Sequence, residues 1–286
     1  MMISNSLKPN RNLLPALKVA DVERMDFSSL VGIANEPNTP SGAHGTIRKI
    51  LREIPLSGIE RILDIGCNTG FATIEFASWV NAEVTGVDLN EISLAFAAET
   101  ARLHRLKNAK FCKANLLDLP FPDNYFDLVY CNNVTSFVNS RKAAALEYFR
   151  VLRPGGVLAV VPIYYLSMPE AGLIDEVSQA IGAPIDCRGK EQWHECFDSP
   201  DSHLIHEEDF TYDDIPAGVI VQYVERVMNA PHIQEQSVEV QKAIQSRLAY
   251  FYQLFNRNLQ HCGYSIMIFR WKQPNSFPVL FKSRAV

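Results

Sequence analysis

The chain has 286 residues, a net charge of −5 at pH 7 and 47% hydrophobic side chains. A chain this rich in apolar residues can bury a sizeable core, which excludes wholesale disorder. The acidic balance, without a run of lysines and arginines, argues against a nucleic acid as the main partner, because neutralising phosphates requires clustered positive charge. We therefore expect a folded protein that binds no nucleic acid.

The N-terminal sequence and the spacing of the cysteines indicate the cellular compartment of the protein. The first 25 residues lack the continuous apolar core of a signal peptide. The longest apolar run, Val157 to Leu166, is too short to cross a bilayer and contains a proline. Six cysteines without paired spacing are typical of reduced thiols, and no short-spaced ligand pairs indicate zinc. We expect a cytoplasmic protein, monomer or homodimer, with no membrane insertion and no metal.

Strand-like and helix-like segments alternate from Arg61 to Val161, which is typical of a parallel sheet with crossover helices. The predicted strands cover residues 61–66, 82–89, 109–116, 125–131 and 155–163, and the predicted helices cover 71–80, 91–106 and 141–152.

After Tyr165 the alternation loosens. Helices are predicted over 169–184 and 190–197, a sixth strand over 203–212, and a last strand over 263–271. Between the last two strands, a long helix carries an apolar stripe from Val240 to Leu259, which most simply packs in the core and alternatively forms a pocket wall. The Gly/Pro/Asn-rich residues 32–46 predict irregular structure that wraps over the sheet.

A glycine turn joins the first strand to its helix. It reads Gly66-Cys-Asn-Thr-Gly70, whereas a dinucleotide fingerprint reads G-x-G-x-x-G. Asn68 stands at the middle position and tolerates a left-handed backbone. Asp88 ends the second strand, where a carboxylate can accept both hydroxyls of a ribose. The pair indicates an adenosine-containing ligand; a plain turn with a surface aspartate is the alternative.

Two further segments decide between the ligands. Residues 114–131 read ANLLDLPFPDNYFDLVYC, and residues 147–161 read EYFRVLRPGGVLAVV. With the glycine turn they resemble the class I S-adenosylmethionine-dependent methyltransferases, in the branch of ubiquinone/menaquinone C-methyltransferases and many small-molecule methyltransferases. The resemblance covers residues 58–161 strongly and the final strands weakly. A nicotinamide oxidoreductase would instead require the missing G-x-G-x-x-G turn.

The resemblance implies an α/β fold with a Rossmann-like sheet of seven strands in the order 3-2-1-4-5-7-6. The last strand would be antiparallel, with helices on both faces and a helical lid. The whole chain, residues 1–286, would be a single methyltransferase domain. Its expected parts are an N-terminal lid or wrap (1–57), a cofactor-binding core (58–165), a cap insert (166–187), the remaining helices and last strands (188–275) and a tail (276–286).

The implied cofactor is S-adenosyl-L-methionine, held at the glycine turn. Asp64 and the two glycines would line its methionine end, Asp88 would hold the ribose, and Leu89 would pack on the adenine. The full set of candidates is Asp64, Gly66, Cys67, Gly70, Asp88, Leu89, Asn115, Leu116, Asn132 and Asn133.

Three asparagines in this set need comment. Asn115 stands where the branch often has an acidic residue that accepts the adenine amino group; its amide oxygen can accept the same bond. Asn132 and Asn133 follow the fourth strand, where cofactor and acceptor meet in this family. Their alternative role is to cap the turn into the next helix.

Methyl transfer needs a base only if the nucleophile must lose a proton, since in-line positioning alone supplies about 7–11 kcal/mol. His44 is the first candidate, because its pKa suits proton transfer near neutrality. Tyr164 and Tyr165, just after the fifth strand, are more simply pocket walls than bases. We retain His44 and Tyr165 as catalytic candidates, with a solvent-facing loop histidine as the alternative for His44.

The predicted function is in-line methyl transfer to a small organic molecule. The alternatives are a methyltransferase-like protein that binds the cofactor without transfer, and a methyltransferase acting on protein or nucleic acid. Residues 26–46 and the insert 166–187 are expected to close over the site. Deleting residues 1–46 should then leave the fold intact and stop turnover.

Overall fold

The structure, a computed structural model, describes Leu14 and residues 16–186 and 188–272. Its strands are β1 (Arg61–Ile65), β2 (Glu83–Asp88), β3 (Ala109–Lys113), β4 (Phe126–Asn132), β5 (Leu152–Val161), β6 (Ile163–Tyr165), β7 (Ser202–Thr211) and β8 (Cys262–Trp271). Its helices are α1 (Val19–Arg24), α2 (Phe27–Ala34), α3 (Ala43–Glu53), α4 (Phe71–Trp79), α5 (Glu91–Leu103), α6 (Arg141–Val151), α7 (Leu173–Ile181), α8 (Glu191–Phe197), α9 (Ala217–Met228), α10 (Pro231–Gln234) and α11 (Val238–Leu259), with a 3-10 turn at Val134–Phe137.

One mixed sheet of eight strands organises these elements. Strands β3, β2, β1, β4 and β5 are parallel neighbours in that order, and β8 pairs antiparallel with both β5 and β7. The short β6 follows β5 after Pro162 and pairs with the same neighbour, β8. Counted as one strand interrupted by proline, β5 and β6 give the order 3-2-1-4-5-7-6 with an antiparallel last strand. The predicted fold is confirmed.

Two cores cover the two faces of the sheet. Along β1, Leu63 packs on one face with Tyr148 of α6, and the neighbouring Ile62 packs on the other face with Phe76 of α4. This alternation is what the period of two along a strand requires when both faces are buried. The prediction of helices on both faces is therefore confirmed.

A third core lies among the helices α1, α2, α7, α9 and α11. Val22 and Leu30 from the N-terminal helices are fully buried there, against Leu248 and Phe251 of α11. The apolar stripe of α11 thus packs in a core, as its simpler interpretation predicts. The N-terminal segment is an integral part of the same core.

The structure corrects one expectation about the N-terminal segment and bears on a second. Regular helix extends into residues 32–34 and 43–46, which the glycine and proline content had predicted to be irregular. Asp26 caps α2 by accepting a 2.7 Å hydrogen bond from the N–H of Ser29, and Gly42 precedes α3 in the left-handed region. Deleting residues 1–46 would remove α1 and α2 from the third core. Because residues of α1 and α2 pack in this core, we expect the deletion to destabilise the fold as well as to stop turnover.

Two smaller differences concern the second half of the chain. The helices α9 and α10 were not predicted, and β5 begins at Leu152 rather than at Gly155. The expected tail, residues 276–286, lies outside the described residues. Across the described ranges, no helix combines the length and apolar character needed to cross a membrane. The cysteines within those ranges, Cys67, Cys112, Cys131, Cys196 and Cys262, carry free thiols.

The burial of α2 yields a stability prediction. Leu30→Ala should lower the free energy of unfolding by about 2–5 kcal/mol, because it leaves a cavity in the third core. The matched control is Leu146→Ala on α6, whose side chain is 62% exposed and whose loss should cost less than about 0.5 kcal/mol. Urea denaturation followed by circular dichroism measures both. Equal midpoints for the two variants would show that α2 is not packed as described.

Candidate active site

The turn between β1 and α4 lies at the carboxyl edge of the sheet. The backbone N–H groups of Gly66 and Cys67 both donate to the carbonyl oxygen of Val87, at 2.8 Å and 3.0 Å. Asn68 has a φ of 44°, and its side-chain oxygen accepts a 2.8 Å hydrogen bond from the N–H of Thr69. An asparagine in the left-handed region thus closes this turn, as its tolerance for that region allows.

Two glycines leave room for side chains that crowd the turn. Gly66 and Gly70 have φ values of 73° and 86°, a region that glycine adopts without steric cost. A Cβ on Gly66 would lie 2.7 Å from Val134, and a Cβ on Gly70 would lie 2.7 Å from Ala97 and 3.0 Å from Phe111. In this structure, the atoms that leave no room for a Cβ at these two positions belong to side chains of the protein itself.

Asp88 ends β2 beside the turn. Its Oδ2 accepts a 2.9 Å hydrogen bond from the N–H of Asn68, and its Oδ1 accepts one of 2.9 Å from the N–H of Asn90. Each carboxylate oxygen has more than one lone pair, so both can accept a further bond from a ribose hydroxyl. The neighbouring Leu89 is 62% exposed and offers an apolar surface. The geometry is compatible with the predicted ribose and adenine contacts.

A second carboxylate, Asp64, is buried in β1. It is 2% exposed, and its Oδ2 accepts a 2.6 Å hydrogen bond from Oγ1 of Thr73. Burial, with a smaller contribution from the charge of Asp88, raises the pKa of Asp64 to about 7, and the hydrogen bonds from Thr73 oppose this rise. Burial also raises the pKa of the Cys67 thiol, which is therefore protonated at neutral pH. A cation bound near Asp64 would stabilise its ionised form.

Asn115 and Leu116 follow β3. Asn115 is exposed, and its Oδ1 accepts a 3.0 Å hydrogen bond from the N–H of Leu117 in a local turn. This bond uses part of the capacity that the predicted adenine contact needs, although an amide oxygen accepts two bonds. Leu116 is 9% exposed and belongs to the core on the α6 face of the sheet.

The paired asparagines after β4 differ in their hydrogen bonding. Asn133 has a φ of 54°, and its Oδ1 accepts from Oγ of Ser136 at 2.6 Å and from the N–H of Ile163 at 3.2 Å. These bonds match the alternative role of holding the turn into the next helical segment. The Oδ1 atom of Asn132 is buried and has no hydrogen-bond partner within the described ranges. Asn132 thus presents an unpaired acceptor.

Asn132 lines a cavity of about 580 Å³ at the carboxyl edge. The N-terminal segment, the cap insert and α11 form most of its wall: Phe27, Ser28, residues 38–43, Val177, Ile181, Ile185, Tyr252, Phe255 and Asn258. The predicted lid segments therefore both border this cavity. The alternative of a pocket wall for the end of the α11 stripe also holds, through Phe255.

Tyr165 and His44, the two catalytic candidates, are placed differently. Tyr165 lines the cavity, and its hydroxyl donates to Oδ1 of Asn258 at 2.9 Å. His44 lies in the first turn of α3 with its side chain 53% exposed, and its Nδ1 lies 2.9 Å from Oε2 of Glu75. Its ring packs 4.8 Å from that of Phe71, and it is not among the residues that line the cavity. The structure therefore does not bring His44 to the cavity.

Glu36 is a buried carboxyl group that the sequence did not single out. It is 4% exposed; Oε1 accepts from the hydroxyl of Tyr223, and Oε2 accepts from the N–H of Asn38 at 2.7 Å. Its carbonyl oxygen accepts a 2.6 Å bond from Oγ1 of Thr69 in the glycine turn. Burial raises the pKa of Glu36, and the bonds from Tyr223 and Asn38 lower it in part. Because Tyr223 is 187 positions away in the chain, no local pattern marks the pair.

The turn suits a cationic nucleoside better than a pyrophosphate. The N–H of Thr69 bonds to Asn68, and the N–H of Gly70 bonds to the carbonyl of Cys67 at 2.8 Å, so these amides are already occupied. A pyrophosphate site at a helix start requires free amides, whereas the carboxylates here favour positive charge. Within the described residues, no group of three or more His, Cys, Asp or Glu side chains could hold a metal ion.

Comparison with known proteins identifies a methyltransferase domain within the chain. Residues 63–160 match the family model described as "Methyltransferase domain". The ubiquinone/menaquinone biosynthesis C-methyltransferase UbiE of Proteus mirabilis is 37% identical over 114 residues, which cover 38% of this chain and 45% of that protein. The matches span 26% to 62% of the length of the curated relatives compared.

Two solved structures extend the likeness beyond the matched segment. The crystal structure of the MccD protein superposes with a TM-score of 0.66 and 26% identity, covering 82% of this chain and all (100%) of that one. Phosphoethanolamine N-methyltransferase 2 of Haemonchus contortus, in complex with S-adenosyl-L-methionine, superposes with a TM-score of 0.63 and 17% identity. That superposition covers 90% of this chain and 58% of the other, and it supports the fold.

The burial of Asp64 predicts a pH dependence of stability. Its pKa is about 7 in the folded chain against an ordinary value of 3.8, so its contribution to stability is fully present below the lower value and is lost as the pH rises through the higher one. Relative to Asp64→Asn, the parent should lose about 2–3 kcal/mol of unfolding free energy between about pH 5 and pH 8. Asp213→Asn, at an exposed position, is the matched control.

Urea denaturation of the ligand-free protein at several pH values makes the comparison. Parallel curves for the parent and Asp64→Asn would contradict a raised pKa at Asp64. A pH dependence that Asp213→Asn removed equally would assign it to the general loss of a negative charge.

Proposed function

Because this chain belongs to the S-adenosylmethionine-dependent methyltransferases, we propose that it methylates a small organic acceptor in the cavity of about 580 Å³. The observation that carries the proposal is the adjacency of the acidic glycine turn and this cavity. Ser28 lines the cavity, and its hydroxyl accepts a 3.3 Å bond from the side-chain amide of Asn68 in the turn. Cofactor and acceptor would therefore share one edge of the sheet.

The residues at the turn fit S-adenosylmethionine. That cofactor carries an ammonium and a sulfonium, and two carboxylates, Asp64 and Asp88, lie beside the turn with mutual electrostatic influence. We assign the ribose to Asp88, the adenine face to Leu89, and the methionine end to the turn from Asp64 to Gly70. Asn115 and Leu116 are proposed to border the adenine. When bound, the cofactor supplies a methyl group on an already activated leaving group.

The protein's part in the transfer is to orient and enclose the reactants. Holding an acceptor in line with the methyl group can supply about 7–11 kcal/mol of the rate enhancement. The wall from Phe27 to Ala43 is fixed to the turn through Thr69 and Glu36, and to α9 through Tyr223. These contacts would exclude water from the transfer. Of the two catalytic candidates, Tyr165 borders the cavity and His44 lies outside it.

The size of the cavity favours a small acceptor over a macromolecule. Its volume of about 580 Å³ lies within the range of about 300–1,000 Å³ typical of small-molecule sites. A protein or nucleic acid substrate would instead need an open groove for its chain. The chain's net charge of −5 also disfavours a polyanion. The similarity to the ubiquinone/menaquinone biosynthesis C-methyltransferase of Proteus mirabilis also supports a small acceptor.

A direct test uses the cofactor with a labelled methyl group. The protein is incubated with it and with fractionated small-molecule extracts, and mass spectrometry searches for products that have gained the label. Labelled product with the parent, and less product with Asp88→Ala at a cofactor concentration that does not saturate the variant, supports the proposal. Cofactor binding without label transfer to any fraction supports the alternative of a binding protein without transfer activity.

The placement of the ribose makes a quantitative prediction. Asp88→Ala should weaken S-adenosylmethionine binding roughly tenfold to a hundredfold, because hydrogen bonds to a charged acceptor contribute about 1.5–3 kcal/mol. Asp88→Asn, which keeps one acceptor oxygen, should lose less. Glu91→Ala is the matched control, since Glu91 is an exposed carboxylate with its side chain 72% accessible. Isothermal titration calorimetry at neutral pH measures all three, and unchanged affinity in Asp88→Ala would refute the ribose placement.

A further inference from the structure

The residues that line the cavity restrict the chemistry of the acceptor more closely than the fold or the similarity to known proteins does. Three properties of its wall constrain what can bind: the pairing of its charged groups, the character of its apolar surface, and the presence of unpaired polar atoms. The inference that these properties support rests on the proposed function.

The charged side chains of the wall neutralise each other. Within the described residues, Arg141 and Asp186 are the charged side chains that line the cavity. Nη2 of Arg141 donates to Oδ1 of Asp186 at 2.9 Å, Nη1 bonds to Gln192, and the guanidinium lies 5.0 Å from the ring centre of Trp193. Asp186 also lies 3.1 Å from Nε of Arg188. A charged acceptor would find each of these charges already paired, so it would have to compete with an existing partner for a counter-charge.

The remaining wall is strongly aromatic. Phe27 packs edge to face with both Tyr252 and Phe255, with ring centres 6.0 Å and 4.7 Å apart. Trp193 closes another part of the wall, and its indole N–H is already used, donating to the carbonyl of Ile163 at 3.2 Å. Such a wall favours a ring-bearing or otherwise apolar body.

Two residues of the wall carry a buried polar atom that has no hydrogen-bond partner among the described residues: Oδ1 of Asn132 and the hydroxyl of Tyr252. Oδ1 of Asn132 is fully buried and accepts no hydrogen bond from any described residue, while the adjacent Asn133 is satisfied twice. Buried amide oxygens in folded proteins are normally bonded, so an unpaired one at a cavity wall indicates a ligand group that donates to it. An amide oxygen selects a donor, which a methyl or ether group is not.

We propose that the acceptor is an uncharged, ring-bearing molecule whose hydroxyl group donates a hydrogen bond to Oδ1 of Asn132. Asn132 ends β4 at the carboxyl edge, next to the strand that carries the glycine turn. A hydroxyl held there lies on the side of the cavity that faces the cofactor turn. The body of the molecule lies against Phe27, Tyr252 and Phe255.

Four probes with one ring system test the proposal. They are 2-naphthol, 2-methylnaphthalene, 2-naphthoate and 2-naphthylmethylammonium, which are respectively a neutral donor, a neutral molecule without a donor, an anion and a cation. Binding is measured by equilibrium dialysis at neutral pH with the full chain saturated with S-adenosylhomocysteine. We expect 2-naphthol to bind at least about tenfold more tightly than 2-methylnaphthalene, because the latter leaves Oδ1 of Asn132 unpaired. Both charged probes should bind more weakly than 2-naphthol.

Variants of Asn132 assign the effect to this side chain. In Asn132→Leu, 2-naphthol and 2-methylnaphthalene should bind equally well. In Asn132→Asp, which has the same shape, the ammonium probe should gain affinity relative to the parent; this variant keeps the test available if Asn132→Leu does not fold. Asn81→Leu, at an exposed position before β2, is the matched control and should behave as the parent.

Several outcomes would overturn the proposal. Preference for the anion or the cation would show that the Arg141–Asp186 pair opens for a charged acceptor. Equal binding of all four probes would show that the wall of the cavity does not discriminate between ligands by charge or by hydrogen-bond donor. If Asn132→Leu weakened S-adenosylhomocysteine as much as 2-naphthol, Asn132 would serve the cofactor instead. Failure of the parent to bind S-adenosylhomocysteine would refute the proposed function itself, which this design detects before any probe is added.

Discussion

The crowding of the turn between β1 and α4 is the constraint on which the rest of the site depends. Val134, which follows β4, packs against Gly66, and Ala97 of α5 and Phe111 of β3 pack against Gly70. A side chain at either glycine would push one of these elements away. Because the neighbouring strands are held this close, Asp64 is buried and Asp88 reaches the backbone of the turn. The same packing thus holds the strands of the core together and places the carboxylates of Asp64 and Asp88 beside the turn.

A second layer depends on this turn. Thr69 and Asn68 bond to the N-terminal segment, the former to the carbonyl of Glu36 and the latter to the hydroxyl of Ser28. Glu36 in turn bonds to Tyr223 of α9. The wall of the cavity is therefore fixed to the turn by polar contacts and to the helical core by buried apolar residues such as Leu30. A segment held in both ways is a structural part of the site rather than a removable cover.

The adjacent residues Asn132 and Asn133 have different hydrogen-bonding environments, although their side chains are identical. Asn133 uses its side chain to join the end of β4 to β6, whereas Asn132 is left with a buried, unpaired oxygen at the cavity. Their amide groups have the same chemistry, and their positions differ by one residue. Only the neighbours that the fold supplies distinguish the asparagine that bonds within the protein from the one whose Oδ1 has no partner among the described residues.

The sequence by itself determined the sheet and its edge. Alternating strands and helices predicted the parallel part of the sheet, and the spacing of Gly66, Gly70 and Asp88 predicted the position of the turn, because these are properties of local periodicity and short-range spacing. The strand order and the antiparallel last strand were implied by the family resemblance. The tertiary structure decided which side chains meet. His44 pairs with Glu75 outside the cavity, and Glu36 meets Tyr223 across 187 positions. Contacts of this kind depend on how distant helices pack, which no local pattern records.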